Sequence, residues 1–289
     1  MAVIPALEKF IASQTWLDKL GDPLQKYISS LFTNAGESGK QVKNTLNGVW
    51  LGHPLHPALT DVPVGAWTCT FVLDLAGSAN EELHPAADLT LATGLLAATG
   101  AALTGFTDWS DTYGKERKVG LLHGLTMLAA FTTYSLSLLA RMAGARRSGV
   151  ALANLGYGLL SAGAYVGGDE VYDIGYGVNH TAFDHAPGKY AAVMPEADLA
   201  DDAPTRATAG STPVLLVKRG GDIFALHDTC VHAGCSLAGG KLEGRSIICP
   251  CHGSQYDLRD GRVINGPATM PEPAFAVRVR GGQIEVRST

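Results

Sequence analysis

Four apolar stretches, at residues 57–78, 87–107, 119–142 and 149–167, constrain the fold of this chain more than any other feature. At a rise of about 1.5 Å per residue, a helix of that length crosses a hydrocarbon layer about 30 Å thick. Charges inside them are sparse: Asp61 and Asp74 in the first, Asp88 in the second and Arg141 at the end of the third. Small residues recur at helix-packing spacing, as in Gly94 with Ala98 and Ala101 with Gly105, which lets backbones approach closely where no water drives association. Buried helices of a soluble domain would show some of this. Four such runs in succession, joined by short polar loops, favour a membrane-spanning four-helix bundle over residues 51–168. The chain as a whole agrees: charged residues are only 17%, against about 25% in soluble domains.

Residues 1–50 have a different texture. Lysines at 9, 19, 26, 40 and 43 lie among acids, with Leu7, Phe10 and Ile11 and then Trp16, Leu17 and Leu20 at rough helical spacing. The pattern predicts amphipathic helices lying on the membrane surface or on the bundle, and it lacks the composition of a signal peptide. Residues 169–189 are Gly-rich and polar and read as a linker. From 190 to 289 short β-type runs alternate with Gly-Gly, Asp-Gly and Pro turns, predicting a small all-β domain. Membrane lipid is thus an expected partner. Nucleic acid is not, because the net charge is −5 and no Lys/Arg stripe occurs.

The β region carries the chemistry. Cys230-Val231-His232 is followed by Cys249-Pro250-Cys251-His252, so two thiols and two imidazoles sit in two short segments. A structural zinc ion accepts two Cys and two His, but its paired ligands are usually two or more residues apart. Zinc also leaves Cys235 and Cys251 without a role. A two-iron cluster with thiolates on one iron and imidazoles on the other suits the set better, and mixed ligation raises its potential.

The segments CVHAGC (230–235) and CPCHGSQYD (249–257) resemble the Rieske [2Fe–2S] signature. The resemblance covers about residues 190–289. It implies Cys230 and Cys249 on the buried iron, His232 and His252 on the outer one, and a Cys235–Cys251 disulfide joining the loops. It further implies that Ser254 and Tyr256 donate hydrogen bonds toward the cluster sulfurs, and that Gly266-Pro267 belongs to a proline loop covering a third side. Positions 253–289 are few and contain no histidine. The second, iron-bearing domain of a ring-hydroxylating oxygenase alpha subunit is therefore not expected. With both disulfide cysteines, the serine and the tyrosine present, the pattern is nearer the cytochrome bc type, although such subunits usually have one membrane anchor.

The segment LGHPLHPALTDVPVGAW (51–67) resembles the opening of domain-of-unknown-function family 2231, an uncharacterised bacterial membrane family, with the likeness extending over about 50–168. The family brings no established activity. His53 and His56 lie at the start of the first long helix, Asp108 near the end of the second and His123 near the start of the third. With four crossings they share one membrane face. Polar groups gathered at one end of an apolar bundle suggest a haem b, quinone or metal site. The alternative is a structural helix-start motif.

The sequence thus leads to a multi-pass protein of the bacterial inner membrane carrying a Rieske cluster. It would exchange electrons with donor and acceptor proteins or the quinone pool. The rival readings are a quinol-oxidising or haem-linked oxidoreductase subunit, and a membrane redox sensor. Basic residues at 40, 43, 115, 117 and 118, against 141, 146 and 147, favour a cytoplasmic Rieske domain. Arg146-Arg147, as an export signal, and the expected disulfide argue for the opposite side.

Overall fold

The computed structural model describes residues 9–289. Among them are six helices longer than a turn or two: α1 (Thr15–Asn34), α2 (Gly36–Asn47), α3 (Leu55–Gly77), α4 (His84–Trp109), α5 (Gly114–Met142) and α6 (Arg146–Tyr172). Ten strands follow: β1 (Ala191–Pro195), β2 (Thr205–Ala209), β3 (Thr212–Arg219), β4 (Asp222–His227), β5 (Lys241–Glu243), β6 (Ser246–Ile248), β7 (Gln255–Asp257), β8 (Val263–Asn265), β9 (Phe275–Arg280) and β10 (Gln283–Ser288). The chain divides into two compact units. A helical unit holds the described residues up to Gly39 together with Leu55–Ile174, and a β unit holds Lys40–Pro54 with Gly175–Thr289.

The helical unit is built from two hairpins, α3 packed along α4 and α5 along α6, which meet through α4–α5 and α3–α6. Its apolar side chains are arranged unlike those of a water-soluble bundle. Leu75, Leu89, Leu96, Leu103 and Leu139 point outward and are each more than half exposed, while Trp67, Leu91, Tyr134, Ala153 and Leu160 form an inner cluster. Three segments, Glu81–Trp109, Gly114–Met142 and Arg146–Tyr172, are long and apolar enough to cross a membrane. The expected fourth, α3, is a helix of 23 residues, but Asp61, Asp74, His56 and Pro63 dilute its apolar content.

The hairpins are an internal repeat. His56 and His123, Trp67 and Tyr134, and Asp74 and Arg141 are all separated by the same sequence offset, and each pair meets in space. The histidine ring centroids are 6.2 Å apart. The Trp67 and Tyr134 rings stack at 4.2 Å, and Arg141 Nη1 donates to Asp74 Oδ1 at 2.9 Å. The second helices repeat as well: Gly94 and Gly156, and Gly105 and Gly167, share a slightly shorter common offset. These glycines are spaces for the ring of their own hairpin. A Cβ at Gly94 would lie 2.3 Å from Trp67 Nε1, one at Gly156 3.0 Å from Tyr134, one at Gly105 2.8 Å from His56, and one at Gly167 3.0 Å from His123.

At the other end of the repeat from the histidines, four charges close on one another. Arg141 bonds to Asp74 and to Asp88 at 2.9 Å, and Arg146 bonds to Asp88 at 2.7 Å and to Asp74 at 3.1 Å. The Arg141 and Asp74 side chains are 1% and 2% exposed, so neither charge has water to turn to. The expected amphipathic segment is α1, which lies on this unit. Leu17 joins a core with Trp109, Val119 and Leu121, and Asp18 pairs with Arg117 and Lys118 at 2.8 Å.

The β unit has three antiparallel sheets, in strand order β1-β10-β9, β2-β3-β4 and β5-β6-β7-β8. Leu215, Val217, Leu226, Leu237, Ile247 and Leu258 form its main core. Two expectations change here. The stretch read as linker is α6 as far as Tyr172, and from Gly175 onward it belongs to the β unit. There His180 donates its backbone N–H to Val231 O at 3.2 Å, and the Ser288 N–H bonds to Pro187 O at 2.8 Å. Residues 40–54, expected as part of the N-terminal segment and the start of the bundle, also belong to this unit. Asn44 accounts for that: its amide donates to Ile264 O at 3.1 Å and accepts the Gly266 N–H at 2.9 Å.

Candidate metal centre

Two loops built on one plan carry the cysteines and histidines. In the first, after β4, the Cys230 N–H bonds to Cys235 O and the Gly234 N–H to Cys230 O, both at 2.8 Å. In the second, between β6 and β7, the Cys249 N–H bonds to Ser254 O at 2.8 Å and the Gly253 N–H to Cys249 O at 3.1 Å. The φ angles of Gly234 and Gly253 are +75° and +79°, which a side chain would strain. Each loop thus turns its Cys and His to one side while satisfying its own backbone.

The loops bring the expected residues together. Cys230 and Cys249 are free and buried, and hydrogen-bonded to each other. That bond holds the Cys249 thiol down to about 6, and together with burial it pushes Cys230 up. The His232 and His252 rings have centroids 4.9 Å apart. Burial draws His232 down to about 3 and His252 below its usual value, so both are neutral at neutral pH, the form that binds a metal. His232 Nδ1 is buried and has no hydrogen-bond partner, which in a folded protein asks for a ligand. Cys235 and Cys251 form the expected disulfide. The Tyr256 hydroxyl lies 3.2 Å from Cys230 Sγ. Ser254 is fully buried and accepts the Ala268 N–H at 3.0 Å, fastening the 266–268 turn, whose Gly266-Pro267 bond is cis, to the second loop.

Several residues that hold this centre carried no signal in the motif. Asp228 accepts the Ser236 hydroxyl at 2.7 Å and the Ala238 N–H at 2.8 Å, so it shapes the first loop from inside. Glu272, 1% exposed, accepts the Val231 N–H at 3.0 Å. Burial raises its carboxyl to about 9 and keeps it protonated at neutral pH. Tyr176 sets its ring edge-on to His232 at 5.7 Å between centroids.

The helical unit pairs two residues of the second expected cluster. His56 and His123 lie together in the helical unit, whereas His53 is exposed, falls in the β unit and contacts its neighbour's carbonyl, Pro54 O, at 3.1 Å. Asp108 is half-buried in the last turn of α4.

Residues 189–279 match the Rieske [2Fe-2S] domain family, and residues 52–180 match a family described as predicted membrane protein (DUF2231). The anthranilate 1,2-dioxygenase ferredoxin subunit of Burkholderia cepacia is 33% identical over 89 residues, which is 31% of this chain and 82% of that protein. The cytochrome b6-f complex iron-sulfur subunit of Chlorobaculum tepidum is 33% identical over 95 residues, 33% of this chain and 51% of that one. Among solved structures, the ferredoxin of carbazole 1,9a-dioxygenase from Nocardioides aromaticivorans IC177 is 27% identical, with a TM-score of 0.34, covering 35% of this chain and 99% of that chain. With the paired loops and four-fifths of a ferredoxin's length accounted for in its β unit, the chain belongs to the Rieske [2Fe–2S] family, joined here to a segment that matches the predicted-membrane-protein family DUF2231.

Proposed function

We propose that the protein is a membrane-anchored electron carrier whose Rieske cluster is held by Cys230 and Cys249 on one iron and His232 and His252 on the other. The observation that carries this is that two adjoining loops pair two buried free thiols with each other and two neutral imidazoles with each other, one with an orphaned Nδ1. Such a donor set fits a cluster that gains and releases one electron at a potential raised by its nitrogen ligands. The chain's own part is to keep the thiols dry, to point the imidazoles to one side and to surround the sulfurs with donors. Relatives are an oxygenase's ferredoxin and a cytochrome complex's subunit, which supports redox proteins as partners. The quinone pool is the other proposed partner.

Four crossings suit the chain better than three. Asn44 and Gly266 are bonded within one compact unit, so residues 40–54 and 175–289 share a side of the membrane. An even number of crossings must then separate them, and α3 supplies the fourth. We assign the β unit to the cytoplasmic side of the inner membrane, following the lysines and arginines at 40, 43, 115, 117 and 118. The test is EPR on washed membranes before and after protease treatment of sealed inverted vesicles. A Rieske signal that sediments with membranes and is lost on treatment is expected. A soluble signal, or none in iron-replete protein, would overturn the reading.

Tyr256 offers a graded check. Its hydroxyl at Cys230 Sγ stabilises the electron-rich, reduced state. A hydrogen bond worth about 1–1.4 kcal/mol more in that state corresponds to about 40–60 mV for one electron. Tyr256→Phe should therefore lower the midpoint by that amount in a redox titration, with the cluster still bound. An unchanged midpoint would mean that the hydroxyl does not sense the cluster charge.

A further inference from the structure

We infer that the helical unit binds one haem b between its two hairpins, with His56 and His123 as the axial ligands. The two rings come from α3 and α5, at equivalent positions of the repeat. Their Nδ1 atoms are fixed alike: His56 donates to Ala101 O and His123 to Gly163 O, both at 2.8 Å. Ala101 and Gly163 are themselves equivalent, at the same offset as Gly94 and Gly156. With Nδ1–H committed to a carbonyl, a neutral ring presents the Nε2 lone pair, the arrangement by which proteins orient metal-bound histidines.

The spacing fits one metal between the rings. A metal–imidazole bond of about 2.0–2.1 Å, plus about 1.1 Å from nitrogen to ring centre on each side, sets trans imidazole centroids about 6.2–6.4 Å apart. The observed separation is 6.2 Å. Gly105 and Gly167 let the backbones of α4 and α6 close on the rings, so neither ring has freedom to turn away.

The donor set selects the cofactor. Among the described residues no third His, Cys, Asp or Glu joins His56 and His123 in a group placed to hold a metal ion. A bare ion would thus find two protein ligands, which is too few. A haem brings four equatorial nitrogens of its own and asks the protein for axial ligands. A quinone fits less well, because its oxygens accept hydrogen bonds and neither Nε2 carries a proton. Val119, one turn before His123, and Val166, beside Gly167, belong to an apolar cluster that suits the macrocycle.

The test uses the full-length protein purified in detergent from haem-supplemented cells, and then titrated with haemin. One low-spin haem per chain by haemochromogen assay and optical spectrum is expected. His56→Ala and His123→Ala should each abolish the low-spin spectrum, while His53→Ala keeps it. For His123→Gly, added imidazole should restore it, which reports a folded site even where haem is lost on purification. Protein that binds no low-spin haem on titration, or that keeps the low-spin spectrum in both alanine variants, would overturn the inference. The Rieske EPR signal is read in the same samples, and its presence or absence judges the electron-carrier proposal separately.

Discussion

His232→Ala is expected to abolish the Rieske cluster outright, with loss of both the EPR signal and the visible absorption. The side chain is 7% exposed and its Nδ1 has no partner within the protein. Alanine would leave the outer iron with one imidazole and would open a void beside the His252 ring, 4.9 Å away. Iron content per chain should fall to background, and the two buried thiols should become titratable in unfolded protein. His185→Ala, at an exposed position outside the two loops, is the matched control and should retain the signal. A His232→Ala protein with wild-type iron content would sink the ligand assignment.

The second large effect is expected at the opposite end of the helical repeat. Arg141→Met leaves Asp74, 2% exposed, with only Arg146 at 3.1 Å. Removing one partner of a buried ion pair costs about 3–5 kcal/mol, because the other charge stays buried and underpaired. The detergent-solubilised protein should therefore lose stability by about 3 kcal/mol, the lower end of that range, since Arg146 still offers partial compensation. Asp74→Leu combined with Arg141→Met should recover part of the loss, as expected when two residues are coupled. Thermal or denaturant unfolding of the four proteins of this cycle checks it. A single variant within about 0.5 kcal/mol of wild type would show that the pair is not buried as described.

The metal centre was legible because its chemistry is local. The Cys-x-His and Cys-x-Cys-His segments named the candidate ligands, and the turns demand glycine at 234 and 253 for reasons contained within each loop. What holds the loops was not legible. Glu272 and Asn44 reach their partners across the fold, whereas Asp228 bonds within its own loop, and nothing in the motif distinguishes the three from surface residues. Apolar run length revealed the long helices, including α3, which carries charges and prolines inside its run. The repeat is hard to see in the sequence because membrane helices share a composition that hides relatedness. Its signal is the constant offset of His56, Trp67 and Asp74 to His123, Tyr134 and Arg141, which becomes meaningful once each pair is seen to touch. His53 and His56 look equivalent in one short motif, but the boundary between the compact units falls between them.

The Asp74–Arg141 contact also decides which hairpins are allowed to associate. The two hairpins share a ring at one level and a histidine at another, so by shape either could pair with a copy of itself. At the third level they are opposites. Two copies of the first hairpin would bury aspartate against aspartate, and two copies of the second arginine against arginine, each an uncompensated like-charge pair in an apolar medium. Only the mixed pair is neutral. The acids Asp74 and Asp88 on one half and the bases Arg141 and Arg146 on the other therefore select a first hairpin with a second and disfavour the pairing of like hairpins.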